Sequence, residues 1–183
     1  MSLDSDFLTP QHIRLIQSMA DFQMALSAAD FMTGIDNEDN LSRVERRRYR
    51  CFEDAAVIAY GRAFTKANGL PALAIRPLGL KMSMEEKDLH ERLMEQRQKV
   101  VAHSDADRQR ILFATEKFTY DHGKTVMIPH HDFDDALHFH EDRFRLIEWL
   151  KKLIHACGMF LFKLAQDKPE VRFIRDHTIT PPQ

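Results

Sequence analysis

An arginine and a histidine separated by five residues, Arg97 and His103, stand in the string RQKVVAHSD that runs from Arg97 to Asp105. Arg carries a permanent charge on a planar fork of donors that fits phosphate oxygens, and His both takes and gives a proton near pH 7. Cleavage of a phosphodiester needs both abilities. Six residues of helix correspond to about 9 Å of rise and leave the two Cα vectors about 120° apart, within reach of one phosphate for a long Arg side chain. Spacing alone does not select this pair, because Arg172 and His177 also qualify. Those two follow Pro169 in a stretch without periodicity, where no packed scaffold is expected to hold them. A structural role for Arg97 and His103 is the competing assignment: an ion pair of the arginine with Glu91, Glu95 or Asp105, and a histidine favoured by the C-terminal end of a helix dipole.

The elements that must position the pair read as helices. Thr9-Pro10 suits an N-cap followed by proline at the first helical position, with Leu8 and Ile13 as a hydrophobic staple. Leu15, Ile16, Met19, Phe22, Leu26 and Ala29 then recur at helical spacing, and Gly34 is placed to end the run. Ser42 and Glu45 form a capping-box pattern ahead of an apolar face that includes Val44, Cys51, Phe52, Ala55, Ala56, Ile58, Ala59 and Ala63, stopping at Asn68-Gly69. The segment from Leu70 to Met82, with two prolines and one glycine, reads as an ordered loop packed on the core. Ser83 and Glu86 make a second capping box and open the third helix, on which Leu89, Leu93 and Val100 form a narrow stripe with Arg97 on one side and His103 on the other.

Beyond Asp105 the pattern shortens. Residues 111–119 and 125–128 flank Asp121-His122-Gly123-Lys124, a hairpin signal. Asp132 or Asp134 is then placed to cap a long helix whose stripe runs Leu146, Ile147, Leu150, Leu153, Ile154, Cys157, Leu161 and Leu164 and ends before Pro169. The expected fold is all-α, an antiparallel four-to-five-helix bundle with a small β-hairpin insertion. It forms one domain over residues 1–183, with its core at about 12–167, its hairpin at about 110–129 and a C-terminal tail at about 168–183.

With 183 residues, 44% of them apolar and 30% charged, the chain is long enough to bury a sizeable core. The formal net charge of −2 means that a polyanion must be held by a local basic patch and not by the overall field. Two cysteines, Cys51 and Cys157, both fall on apolar stripes, which points to reduced, buried thiols in a cytoplasmic protein. No segment of 18 uncharged apolar residues occurs, so no membrane partner is expected.

Other residues compete for attention. Arg43, Arg46, Arg47 and Arg50 recur at i, i+3, i+4 and i+7 at the start of the second helix, with Tyr49 adjacent, and so offer either a track for RNA phosphates or a solvated face paired to carboxylates. Tyr60 and Arg62 line a cleft if the second and third helices are neighbours. His130, His131, Asp132, Asp134, Asp135, His138 and His140 invite a metal reading, since His131, Asp135 and His138 share a face if the segment is helical. His131-Asp132 also brings to mind HD-type metal phosphohydrolases. Pro129 and the capping role of the aspartates favour a helix start instead, so no metal and no cofactor are expected.

Two antiparallel helices, a third that carries Arg-x5-His within RQKVVAHSD, and a long closing helix together resemble the HEPN superfamily, especially its abortive-infection-like ribonuclease and toxin-type members. The likeness covers roughly residues 12–167 in layout and Arg97 to Asp105 in residues. It implies a homodimer in which two such motifs meet across a cleft and cut RNA without metal, in a toxin–antitoxin or phage-defence setting, with an antitoxin or regulatory protein as a further partner. By position, Arg97 would bind the scissile phosphate and His103 would act as general base or acid. Gln98, Ser104, Asp105, Tyr60, Arg62, Arg43, Arg47 and Arg50 would contact the RNA. Gln98 stands where many members have Asn, and Asp105 where some have a modifiable Tyr. A catalytically silent helical dimer that binds RNA or protein is the alternative from another class.

Overall fold

The computed structural model describes residues 9–34, 36–67, 69–98, 111–120, 123–133 and 136–167, the side chains of 111–113 and 130–133 excepted. Among these residues the chain is mostly helical with one small two-stranded antiparallel sheet. Leu8, His103, Ser104, Asp105, Asp134, Asp135 and the tail from 168 onward, all invoked above, lie outside the described residues.

Helix α1 spans Pro10–Asp30 and begins as expected: Thr9 accepts from the His12 amide, and the His12 ring accepts from the Thr9 amide. It ends before Gly34. The Thr33 hydroxyl donates to the Asp30 carbonyl at 2.7 Å, and Met32 is fully buried. Gly34 does not take the positive φ of a glycine stop, so it is not the residue that closes the helix. Helix α2, Arg43–Ala63, and helix α3, Met84–Gln96, both open with the capping boxes the sequence predicts, on Ser42/Glu45 and Ser83/Glu86. Each box satisfies two amides that the first helical turn otherwise leaves open, worth about 1 kcal/mol per cap.

The loop between α2 and α3 packs on the core as expected. The Leu73 amide donates to the Ala63 carbonyl at 2.8 Å, Leu73 is buried, and Ile75, Leu78, Leu80 and Met82 lie against the core. Gly69, at φ +75, turns the chain between the Ala67 and Leu70 bridge partners, a conformation that costs a residue with a Cβ.

Strands β1, Ile111–Tyr120, and β2, Lys124–Phe133, form the hairpin, with Phe118 opposite Val126 and Glu116 opposite Ile128. All of its described side chains are exposed. The strand runs to Phe133, so Asp132 is a ladder residue and not a helix cap, and His131 pairs with Phe113. The helical face that would gather His131, Asp135 and His138 therefore does not form. A hydrogen-bonded ladder ten residues long outcompetes a short polar helix start.

The closing helix α4 spans Arg143–Asp167. It packs along α1, which also packs along α2, while α3 meets α2 and α4 over shorter seams. The core lies where these helices converge, with Phe22, Tyr60, Leu93, Leu146, Trp149, Leu150 and Leu153 at its centre. Cys157 is buried as expected and burial pushes its thiol up to about 11, but Cys51 is exposed. Cys51 lies at the edge of its apolar stripe, where a residue's type does not say which side of the boundary it falls on. No helix among the described residues is long and apolar enough to cross a membrane.

Candidate functional site

Arg97 caps the C-terminal end of α3, its amide donating to the Leu93 and Met94 carbonyls. Its side chain is half-buried and lies across α2 at Gly61. A Cβ built on Gly61 would stand 2.6 Å from Arg97 Cδ and 2.8 Å from Cγ, so the close passage of the stem depends on that glycine. No carboxylate among the described residues pairs with the guanidinium. One residue earlier, Gln96 is buried, and among the described residues its Nε2 has no hydrogen-bond partner. A buried donor of this kind is costly unless something meets it.

A histidine that the sequence reading passed over shares this face. His90 stands seven residues before Arg97, which on a helix is about 20° short of two full turns. Its ring meets Phe64 edge-on at 4.7 Å, and Nδ1 lies 2.7 Å from the Tyr60 hydroxyl. The Trp149 indole N–H donates to that same hydroxyl at 2.9 Å. Burial pushes the His90 pKa below its ordinary value, against the raising effect of the neighbouring Glu91 carboxylate. Among the described residues nothing hydrogen-bonds to Nε2. Both His90 and Arg97 therefore meet the last turn of α2, residues 60–64, from α3. An i, i+7 search from Arg97 finds His90 in the sequence, but the turn of α2 that unites them is a tertiary fact.

Beneath that turn sits Arg14 of α1, buried and equally unanticipated. Its Nε donates to the Pro71 carbonyl at 2.6 Å, and its terminal nitrogens to the Arg62 and Thr65 carbonyls at 3.4 and 3.1 Å. A fixed cation thus offsets the negative end of the α2 dipole beside the site.

The remaining predicted contacts disperse. Gln98 follows Arg97 and is exposed. Tyr60 is fully buried and its hydroxyl is engaged, so it orients His90 from below and does not line a cleft. Arg62 does not line a cleft with α3 either: it pairs with Asp21 of α1 at 3.6 Å. Burial raises the pKa of Asp21, opposed by the charge of Arg62 and its hydrogen bond. Arg50 is locked by Asp54 at 3.2 Å and by the Ala136 carbonyl at 2.6 Å, and Arg46 donates to the Glu38 carbonyl. Arg43 and Arg47 are exposed, and each has an interaction of its own. The basic face of α2 is not a row of free cations. Cations at i and i+4 look alike in sequence whether solvent or a returning backbone meets them.

Two further features complete the polar inventory. Glu53, buried on α2, accepts from the His138 amide at 3.0 Å and the Phe139 amide at 2.8 Å, tying the segment before α4 to α2. Burial raises its pKa despite those bonds and the nearby Arg50. At the N-terminal end of α3, a groove of about 570 Å³ opens against α4 between Ser83, Leu89, Trp149 and His155. The lysines there are already spoken for: Lys152 bonds Glu86 at 2.7 Å and Lys151 bonds Glu148 at 2.8 Å. No group of three or more His, Cys, Asp or Glu side chains among the described residues is placed to share a metal ion.

The chain matches no protein-family model, no curated protein and no solved structure.

Proposed function

We propose that this chain is a HEPN-like, metal-independent endoribonuclease that acts as a homodimer of antiparallel four-to-five-helix bundles, in a toxin or phage-defence role. The observation that carries the reading is the placement of Arg97: its stem is seated on Gly61 in the seam between α2 and α3, and no carboxylate among the described residues neutralises its head. A permanently charged fork held in this way binds phosphate oxygens and stabilises the charge that grows on them during attack. His103 supplies proton transfer. One His103 takes the proton of the RNA 2′-hydroxyl, whose oxygen attacks the adjacent phosphorus. The partner subunit's His103 gives a proton to the departing 5′-oxygen.

The test is cleavage of RNA in EDTA by the purified full chain. We expect wild type to cut, Arg97→Ala to lose about 10²- to 10³-fold in rate, and His103→Ala to lose about 10²- to 10⁴-fold. Mixing the two inactive variants should not restore activity, because the mixed dimer carries one His103 where the mechanism uses two, and full rescue would refute that division of roles. No cleavage by wild type in chelator, or cleavage indifferent to both substitutions, overturns the proposal. RNA binding that survives both substitutions without any wild-type cleavage selects the silent binding dimer instead.

A further inference from the structure

We propose that His90 and Arg97 form a phosphate-oxyanion site, in which His90 is held as its Nε2–H tautomer and donates to one oxygen while the Arg97 fork takes others.

The tautomer follows from donor accounting. The Trp149 indole N–H can only donate, and it donates to the Tyr60 oxygen. The Tyr60 hydroxyl hydrogen is then left for His90 Nδ1, 2.7 Å away. Nδ1 therefore accepts, and the single ring proton of neutral imidazole sits on Nε2. A second ring proton would have to go on Nδ1 and displace the Tyr60 hydrogen, which would then lack an acceptor in a buried position. His90 is accordingly a neutral donor and not a proton shuttle, a role distinct from that of His103.

Placement supplies the partner. The stem of Arg97 crosses Gly61, and the His90 ring meets Tyr60 and Phe64, so the two side chains converge on a single turn of α2. The charges around that turn have partners. Arg14 is fixed beneath that turn on three carbonyls, and Asp21 is paired with Arg62. Glu91, the acid next to His90 on α3, pairs with Lys87 at 3.7 Å. The shared ligand chemistry is a phosphate mono- or diester: three or more oxygens of one sign, met by a planar fork and a lone N–H. An RNA backbone and free phosphate both offer it, and the RNA source rests on the ribonuclease reading.

The experiment is NMR on the full-length protein with ¹⁵N-labelled histidine, reading the His90 ring nitrogens during titration with inorganic phosphate and, separately, with a short single-stranded RNA. The expected free state is Nε2–H. Phosphate should shift the Nε2 signal, with affinity falling about tenfold in His90→Phe and being lost in Arg97→Ala. A His90 found as Nδ1–H, a Nε2 signal that phosphate does not move, or undiminished phosphate binding by folded His90→Phe overturns the proposal. The wild-type titration decides even if a variant fails to fold. If phosphate shifts His90 but RNA does not bind, the oxyanion site stands and the ribonuclease reading falls. If RNA binds and is cut while His90 stays unmoved, the ribonuclease reading stands and this proposal falls.

Discussion

Replacing Gly61 with alanine places one methyl group against the stem of Arg97, at 2.6 Å from Cδ and 2.8 Å from Cγ. Ordinary carbon–carbon contact is about 3.5–4.0 Å, so the stem must retreat by about 1 Å. Two opposing terms set the effect on stability. Gly→Ala in a helix interior gains about 1 kcal/mol, whereas overpacking costs about 1–3 kcal/mol. The clash falls on a flexible side chain at the end of α3 and not on backbone, which holds the cost near its lower limit. The net change should therefore be within about 1 kcal/mol, or a few degrees in Tm for a chain of this size. Function should respond far more, since a displacement of about 1 Å at a phosphate-binding group is worth about 10²-fold in rate. Urea or thermal unfolding, run beside RNA cleavage in EDTA, separates the two quantities. A Gly61→Ala protein that cuts RNA at the wild-type rate would refute the claim that the seat on Gly61 places a catalytic arginine. A loss of several kcal/mol would refute the claim that the stem can yield.

Glu53→Ala removes the carboxylate that receives the His138 and Phe139 amides; the buried Phe139 amide loses its acceptor, at about 1–3 kcal/mol, while His138 is exposed and its amide can turn to water. Chemical denaturation should show a loss of about 1–3 kcal/mol, and a loss under about 0.5 kcal/mol would show that water replaces the carboxylate. Because burial raises the Glu53 pKa, the folded state holds that proton more tightly, so this group's contribution to stability declines as pH rises through the ordinary carboxylate range toward the raised value. His90 has the opposite dependence. Its folded pKa is lowered, so the unfolded chain binds the proton first, and stability should fall as pH drops below about 6.5. Comparing unfolding at pH 7.5 and 5.5 in wild type and His90→Phe tests this. The part of the slope due to His90 should vanish in the variant, and an unchanged slope would disprove that a buried His90 carries it.

Much of the local structure was legible because it is local. Thr9-Pro10, Ser42/Glu45 and Ser83/Glu86 predict three helix starts from hydrogen bonds that span three residues, and all three form. The hairpin about Gly123 follows from turn chemistry in the same way. Asp132 misleads because a cap and a strand residue differ only in what pairs across from them. Cys51 misleads because periodicity marks the centre of a helix face better than its edge.

The candidate site divides along the same line. Arg97 could be picked out from its residue type and its neighbours in the chain. His90, Arg14 and Glu53 could not, because nothing close in sequence marks them: their partners are Tyr60 and Trp149, the carbonyls at the end of α2, and the amides of 138 and 139. The basic residues of α2 show the converse, with Arg46 and Arg50 spent on backbone carbonyls from distant segments. By itself the sequence determined where the first three helices begin, where the hairpin turns, and which side chains have the chemistry to meet a phosphate. Only the tertiary structure decided which of those side chains converge and which are already satisfied, because hydrogen-bond accounting in a buried place depends on groups that folding brings together from far apart in the chain.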